Sequence, residues 1–178
     1  MRMLRTQFSE QETVVSILKV FRLPKMNKNE IEKLIGGQFL CRIAFVGEEY
    51  PHIAPFQYVF LDGTLYFHFT DYGRKVNLLE KDKGVCVEIE EYKPDLNEFK
   101  FVVLKGKLEI VSGSSERERV IETMAEQGKR MLSENFLTAH GLKKEEGWSA
   151  FSSEKPFIIV KLNASRVSGL KSPCLVKR

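Results

Sequence analysis

The residues best placed to do chemistry lie in one short run, Thr70-Asp71-Tyr72-Gly73-Arg74-Lys75-Val76-Asn77-Leu78-Leu79. A strand ends here, Gly73 permits a tight turn, and Leu78 and Leu79 mark the buried side of a short helix. Two adjacent cations open that helix. A helix N-terminus already carries positive potential, and a cation there costs roughly 0.3–1 kcal/mol. An anion held by Arg74, Lys75 and the free backbone amides resolves the conflict. Two solvated cations, with Asp71 as a partner, are the alternative, and spacing alone leaves both open.

The strand before this turn, Leu65-Tyr66-Phe67-His68-Phe69-Thr70, puts Tyr66, His68 and Thr70 on one face. Its expected partner strand carries His52, Ala54, Phe56, Tyr58 and Phe60 on one face and Ile53, Pro55, Gln57 and Val59 on the other. Pro55 cannot donate to a ladder, so its strand lies at an edge or its pairing is interrupted there. Aromatic surface beside an anion pocket suits a planar phosphorylated ligand. The same aromatics can equally be core.

Other chemistry finds little support. His52 and His68 are 16 residues apart and His140 falls in an irregular stretch, so no metal site is expected. The nucleophile-elbow, phosphate-loop, dinucleotide-binding and zinc-protease motifs do not occur. Cys41 and Cys86 sit in apolar strands and read as packed thiols. With Cys174 they make an odd, widely spaced set, which fits a reducing cytoplasm and no disulfide framework. No catalytic residue is assigned.

These residues need strands to carry them. Asn27 and Glu30 open a helix that Gly36-Gly37 ends. From there the period is two. Strands are expected over 38–46, 51–61, 64–70, 84–91 and 99–111, with Asp62-Gly63 as a tight hairpin turn. Gly106, inside the long strand, marks a bend or a close approach of backbone. A capping box at Ser115-Glu116-Arg117-Glu118 opens a helix to about residue 133. Residues 134–155 are mixed, and 156–162 with 166–170 read as a last strand with a break. A further amphipathic helix is expected over 9–22. Six short strands with few helices between them predict a mainly β protein with peripheral helices, an antiparallel barrel rather than a doubly wound sheet.

The chain has 178 residues, 28 Lys+Arg against 24 Asp+Glu, and a formal net charge of +4. The surplus is terminal. Residues 1–25 carry +3, residues 171–178 carry +3, and 26–170 carry 20 basic and 22 acidic side chains, a balance of −2. A slightly acidic body argues against a nucleic-acid groove. No apolar run reaches the roughly 18 residues a membrane helix needs, and no signal peptide is expected. The expected organisation is an N-terminal helical extension over 1–25, one domain over 26–170 and a basic tail over 171–178.

Taken together, Met26-Asn27 to Leu40, Pro51-His52-Ile53-Ala54-Pro55-Phe56, Asp62-Gly63-Thr64-Leu65-Tyr66-Phe67-His68 and Gly73-Arg74-Lys75 with Leu78-Leu79 resemble the pyridoxamine 5'-phosphate oxidase-like FMN-binding split barrels. The nearest branch contains the nitroimidazole-resistance reductases. The resemblance implies a six-stranded antiparallel split β-barrel, a homodimer, and FMN in a cleft at the subunit interface. It places Ala54, Pro55 and Phe56 beside the flavin ring. Phe67, His68 and Thr70 would line the path from ring to phosphate. Gly73, Arg74 and Lys75 would hold the phosphate, and Gly106 would lie near the dimer interface. The chain departs from authentic pyridoxamine phosphate oxidases in ending Ser165-Arg166-Val167-Ser168-Gly169-Leu170-Lys171, without their basic, Trp-containing substrate motif. The implied activity is a cytoplasmic FMN-dependent oxidoreductase passing electrons from a reduced nicotinamide to a small acceptor. A non-catalytic flavin- or haem-binding protein is the alternative.

Overall fold

A computed structural model of the chain describes residues 22–71, 73–139, 142–152, 154 and 157–173. The helix expected over 9–22 lies outside them except for Arg22, as do His140 and Cys174. Eleven elements follow in order: α1 (Lys28–Gly37), β1 (Leu40–Phe45), β2 (His52–Leu61), β3 (Thr64–Phe69), α2 (Arg74–Lys81), β4 (Gly84–Tyr92), β5 (Phe99–Ile110), α3 (Ser114–Met131), α4 (Asn135–Ala139), a 3-10 helix (Lys144–Ala150) and β6 (Ile158–Lys171).

The six strands close into one antiparallel barrel in the order β1-β2-β3-β6-β5-β4. Closure gives every strand a neighbour on each side over part of its length and so covers most of the edge that short strands would otherwise present. Alternation decides what goes inside. Ile43, Phe45, Tyr58, Phe67, Val87, Ile89 and Val102 are almost wholly excluded from solvent and form the barrel core. The opposite faces of β2, β3 and β6 contribute Val59, Tyr66 and Ile159 to a second apolar layer under α3, which supplies Val120, Ile121, Met124 and Ala125. The segment between β5 and β6 therefore lies outside the barrel, across β2, β3 and β6.

Local chemistry explains the element ends. Asn27 accepts from the Glu30 amide at 2.9 Å, and the Glu30 carboxylate accepts from the Asn27 amide at 2.8 Å, the expected capping box. At the other end of α1, the buried Tyr58 hydroxyl donates to the Ile35 carbonyl at 2.7 Å. Asp62 and Gly63 adopt φ of 50° and 78°, the paired positive values of a tight primed hairpin turn.

Two expectations need correction. The capping box at Ser115 does not form. α3 is capped two residues earlier, at Gly113, with no side-chain cap bond, so Ser115 lies inside the first turn. The break in the last strand is a bulge in a continuous β6: pairing with β5 shifts between Lys105 and Gly106. A Cβ on Gly106 would stand 2.2 Å from the Asn163 carbonyl oxygen, so the close approach needs glycine. The mixed stretch contains α4 and the 3-10 helix.

Candidate functional site

The barrel is split where Pro55 lies. β2 pairs with β1 from His52 through Gln57, but with β3 only from Tyr58 to Leu61. β3 runs on to Phe69 by pairing with β6 instead. The Tyr58 amide donates to the Phe39 carbonyl at 3.0 Å. Even-numbered residues of β2 therefore turn their backbone groups to β1, and odd-numbered ones turn theirs away. Pro55 accordingly forfeits no bond to β1. The backbone of Ile53 and Gln57 and the Pro55 carbonyl face the gap instead.

A cavity of about 240 Å³ opens at this gap. Pro55, Phe56 and Gln57 reach it from β2, His68 from β3, and Thr70 and Lys75 from the turn and helix beyond. Five of the nine residues expected at the site are thus brought together. Arg74 and Gly73 are exposed at the start of α2, next to Lys75. Ala54 and Phe67 are buried in the barrel core and do not line the cavity. Phe67 points inward with Leu65 and Phe69, opposite to His68.

The start of α2 is electropositive and uncapped. Gly73 takes the cap position with φ 96°, reachable without strain only by glycine, and no side chain caps the first amides. Among the described residues neither Arg74 nor Lys75 has a carboxylate partner within an ion-pair distance; the Lys75 ammonium lies 4.6 Å from the centroid of the Phe56 ring. Lys81, at the other end of the helix, pairs with Glu48. That hydrogen bond, aided by the Lys81 and Arg74 charges, holds the Glu48 carboxyl below its usual range. This donor set fits a phosphate: two cations and open amides at one rim, and a cavity with free backbone groups behind it.

The far wall of the cavity was not legible in the sequence. Leu40 comes from β1, and Met124, Phe136 and Phe151 come from the segment between β5 and β6. Phe151 stacks on Phe157 with centroids 4.7 Å apart, and the His68 ring meets them edge to face at 5.4 and 4.7 Å. His52 is remote from this group and packs beside Phe45 at 6.1 Å. No group of three or more metal-ligating side chains occurs among the described residues.

A larger hollow of about 770 Å³ lies on the outer face of β1, β4 and β5, where Ala44, Cys86, Lys105 and Gly106 line it. Val46, Tyr50 and Ile53 stand at or beside it, each more than half exposed. The register pairs Leu40–Gln57, Arg42–Pro55 and Ala44–Ile53 lead from the cavity to this hollow.

Comparison with known proteins follows the same lines. The family model described as pyridoxamine 5'-phosphate oxidase matches residues 27–146. An FAD-binding protein from Mesorhizobium loti has a similar structure, with a TM-score of 0.63 and 16% identity, covering 86% of this chain and 100% of its own. A candidate 5-nitroimidazole antibiotic resistance protein from Bacteroides thetaiotaomicron has a TM-score of 0.59 at 16% identity, covering 84% of this chain and 87% of its own. A flavocytochrome from Azotobacter vinelandii has a TM-score of 0.57 at 14% identity, covering 83% of this chain and 68% of its own. At such identities the likeness is one of fold. No curated protein matches the chain.

Proposed function

The chain belongs to the pyridoxamine 5'-phosphate oxidase family, and from that premise we propose that it is a homodimeric FMN-dependent oxidoreductase passing electrons from a reduced nicotinamide to a small acceptor. The observation that carries this reading is the meeting of the uncapped, doubly cationic start of α2 with the cavity at the split in the barrel.

In this reading Arg74, Lys75 and the first amides of α2 hold the phosphate. Pro55, Phe56 and Gln57 take the ring. The gap-facing backbone of β2 offers donors and acceptors to the ring's polar edge, a role that needs no side-chain chemistry. His68 and Thr70 give the lining its polar groups, and Phe56 and Phe151 keep water from the ring. The flavin supplies the redox chemistry, taking electrons from one small molecule and giving them to another. No protein nucleophile is required.

The dimer is supported by the hollow on the outer face of β1, β4 and β5 and by the exposed ridge beside it. Val46, Tyr50 and Ile53 are large and exposed, and such a patch beside an apolar hollow marks an association surface. A second copy there would cover the gap side of the cavity.

The test is direct. The purified protein should be yellow, or become so with added FMN, and should consume NADH or NADPH with an acceptor faster than free FMN does. Colourless protein that takes up no FMN would overturn the proposal. Protein that binds FMN but never exceeds the rate of free FMN would leave a binding protein in its place.

A further inference from the structure

We propose that residues 9–21 dock as an amphipathic helix on the apolar patch at the β4–β5 hairpin of the same chain. The inference is independent of the flavin reading.

The patch is built by register. Val102 points into the core, so Phe99 and Phe101 point outward, and their rings stack with centroids 6.2 Å apart and planes at 11°. Phe101 pairs with Leu170 of β6, and Phe99 pairs with Tyr92 of β4. Tyr92, Leu96, Phe99 and Phe101 line a hollow of about 410 Å³. Both Tyr92 and Leu96 are more than half exposed.

Leu96 has no local reason to stand where it does. Its φ is 55°, in the left-handed region that favours glycine or asparagine, and an asparagine, Asn97, is the next residue. Here a large apolar side chain gains neither burial nor a relaxed backbone. A surface that covers it supplies the reason.

The occupant follows from where the chain leaves the sheet. The Pro24 carbonyl accepts from the Lys171 amide at 3.0 Å, and Lys25 pairs with Leu170, so residues 24–26 add a short strand beside the end of β6. One residue on, the Ser172 amide donates to the Phe99 carbonyl at 2.8 Å. Leu23 therefore comes beside Ser172, two strand spacings or about 10 Å from Phe99. A helix over 9–21 spans about 20 Å, enough to cross the roughly 14 Å from this added strand to β4. Val14, Ile17, Leu18 and Phe21 recur at helical spacing and form one apolar face. Charge agrees with the fit. Residues 1–25 carry +3. From Glu88 to Phe101 there are five acidic side chains and two basic ones, and Arg42, which pairs with Glu88 and Glu90, still leaves a balance of −2.

Trypsin cleavage of the full chain after Lys19 and Arg22, followed by mass spectrometry, reads the docking. Leu96→Asn suits the left-handed backbone, so a merely structural Leu96 predicts unchanged or raised melting temperature and unchanged cleavage. Docking predicts cleavage roughly fivefold faster or more in Leu96→Asn, Tyr92→Ser and Leu18→Asp, with melting of the barrel moved by no more than a few degrees. In Leu18→p-benzoylphenylalanine, light should join position 18 to the peptide carrying residues 94–100. Mixing light and heavy isotope-labelled protein tells the occupants apart. Crosslinks between light and heavy chains would give the patch to a second copy and overturn the assignment to the same chain. Cleavage unchanged in Leu96→Asn, crosslinks elsewhere or none, or protection of Lys19 that appears only with phosphatidylserine vesicles overturns the proposal.

Discussion

The Lys75 ammonium rests 4.6 Å from the centroid of the Phe56 ring, joining the first turn of α2 to the strand that borders the split. A cation over an aromatic face is held without being neutralised, since the ring carries no net charge. Lys75 therefore keeps its full charge at the rim of the cavity, and Arg74 stands next to it. Replacing either by Gln should weaken FMN binding about ten- to a hundredfold, the worth of a charge-assisted contact of roughly 1.5–3 kcal/mol. The loss should shrink as ionic strength rises, because the rim is solvent-accessible. Fluorescence titrations at two salt concentrations check both points.

α3 is pinned to the sheet by a polar cluster. The Tyr66 hydroxyl donates to Glu116 at 2.8 Å and the Lys161 ammonium donates to the same carboxylate at 3.2 Å. The Tyr66 hydrogen bond, more than the Lys161 charge, holds the Glu116 carboxyl below its usual range. Burial first, and then the Glu116 contact, pushes the Tyr66 phenol up to about 12. A depressed carboxyl contributes stability that is complete above its ordinary value of roughly 4.3 and is lost as pH falls through the folded value. A raised phenol contributes below its ordinary value of roughly 10 and is lost as pH rises toward the folded one. Glu116→Gln should cost about 1–2 kcal/mol near neutrality, and the gap to the parent should close in acid. Melting curves across the acid range measure it.

Gly106 sits at the bulge with no room for a side chain. Gly106→Ala drives a methyl into the Asn163 backbone, which cannot yield as a flexible side chain would. A loss of roughly 1–3 kcal/mol is expected, read from urea unfolding.

Ile53 is 62% exposed on the ridge of the outer face. Ile53→Asp should convert a dimer to a monomer in sedimentation without changing the melting temperature measured at low protein concentration by more than a few degrees. It should also lower FMN affinity if the second copy covers the cavity.

Much of this was legible because it is local. Asp62-Gly63 and the Asn27-Glu30 box fix their own geometry over a few bonds, and the period of two sends Leu65, Phe67 and Phe69 inward. That same parity separates Phe67 from His68, although both fall in one matched motif. The box at Ser115 is an equally good local signal, but Ser114 and Ser115 themselves take helical positions, and Gly113 becomes the cap instead. The break before Arg166 is a bulge because Gly106, sixty residues earlier in the chain, meets Asn163 across the ladder. The wall of Met124, Phe136 and Phe151 had no signal at all. It depends on Trp148 meeting Gly128, a contact between irregular chain and helix that no periodicity announces.

The central claim is that a phosphate is held at the start of α2 beside the split. Titration of the protein with FMN and with riboflavin, which differ only in that phosphate, tests it most directly. FMN should bind at least a hundredfold tighter, and the double variant Arg74→Gln with Lys75→Gln should abolish most of the difference. Equal affinity for the two, or a preference that survives the double variant, would contradict the account.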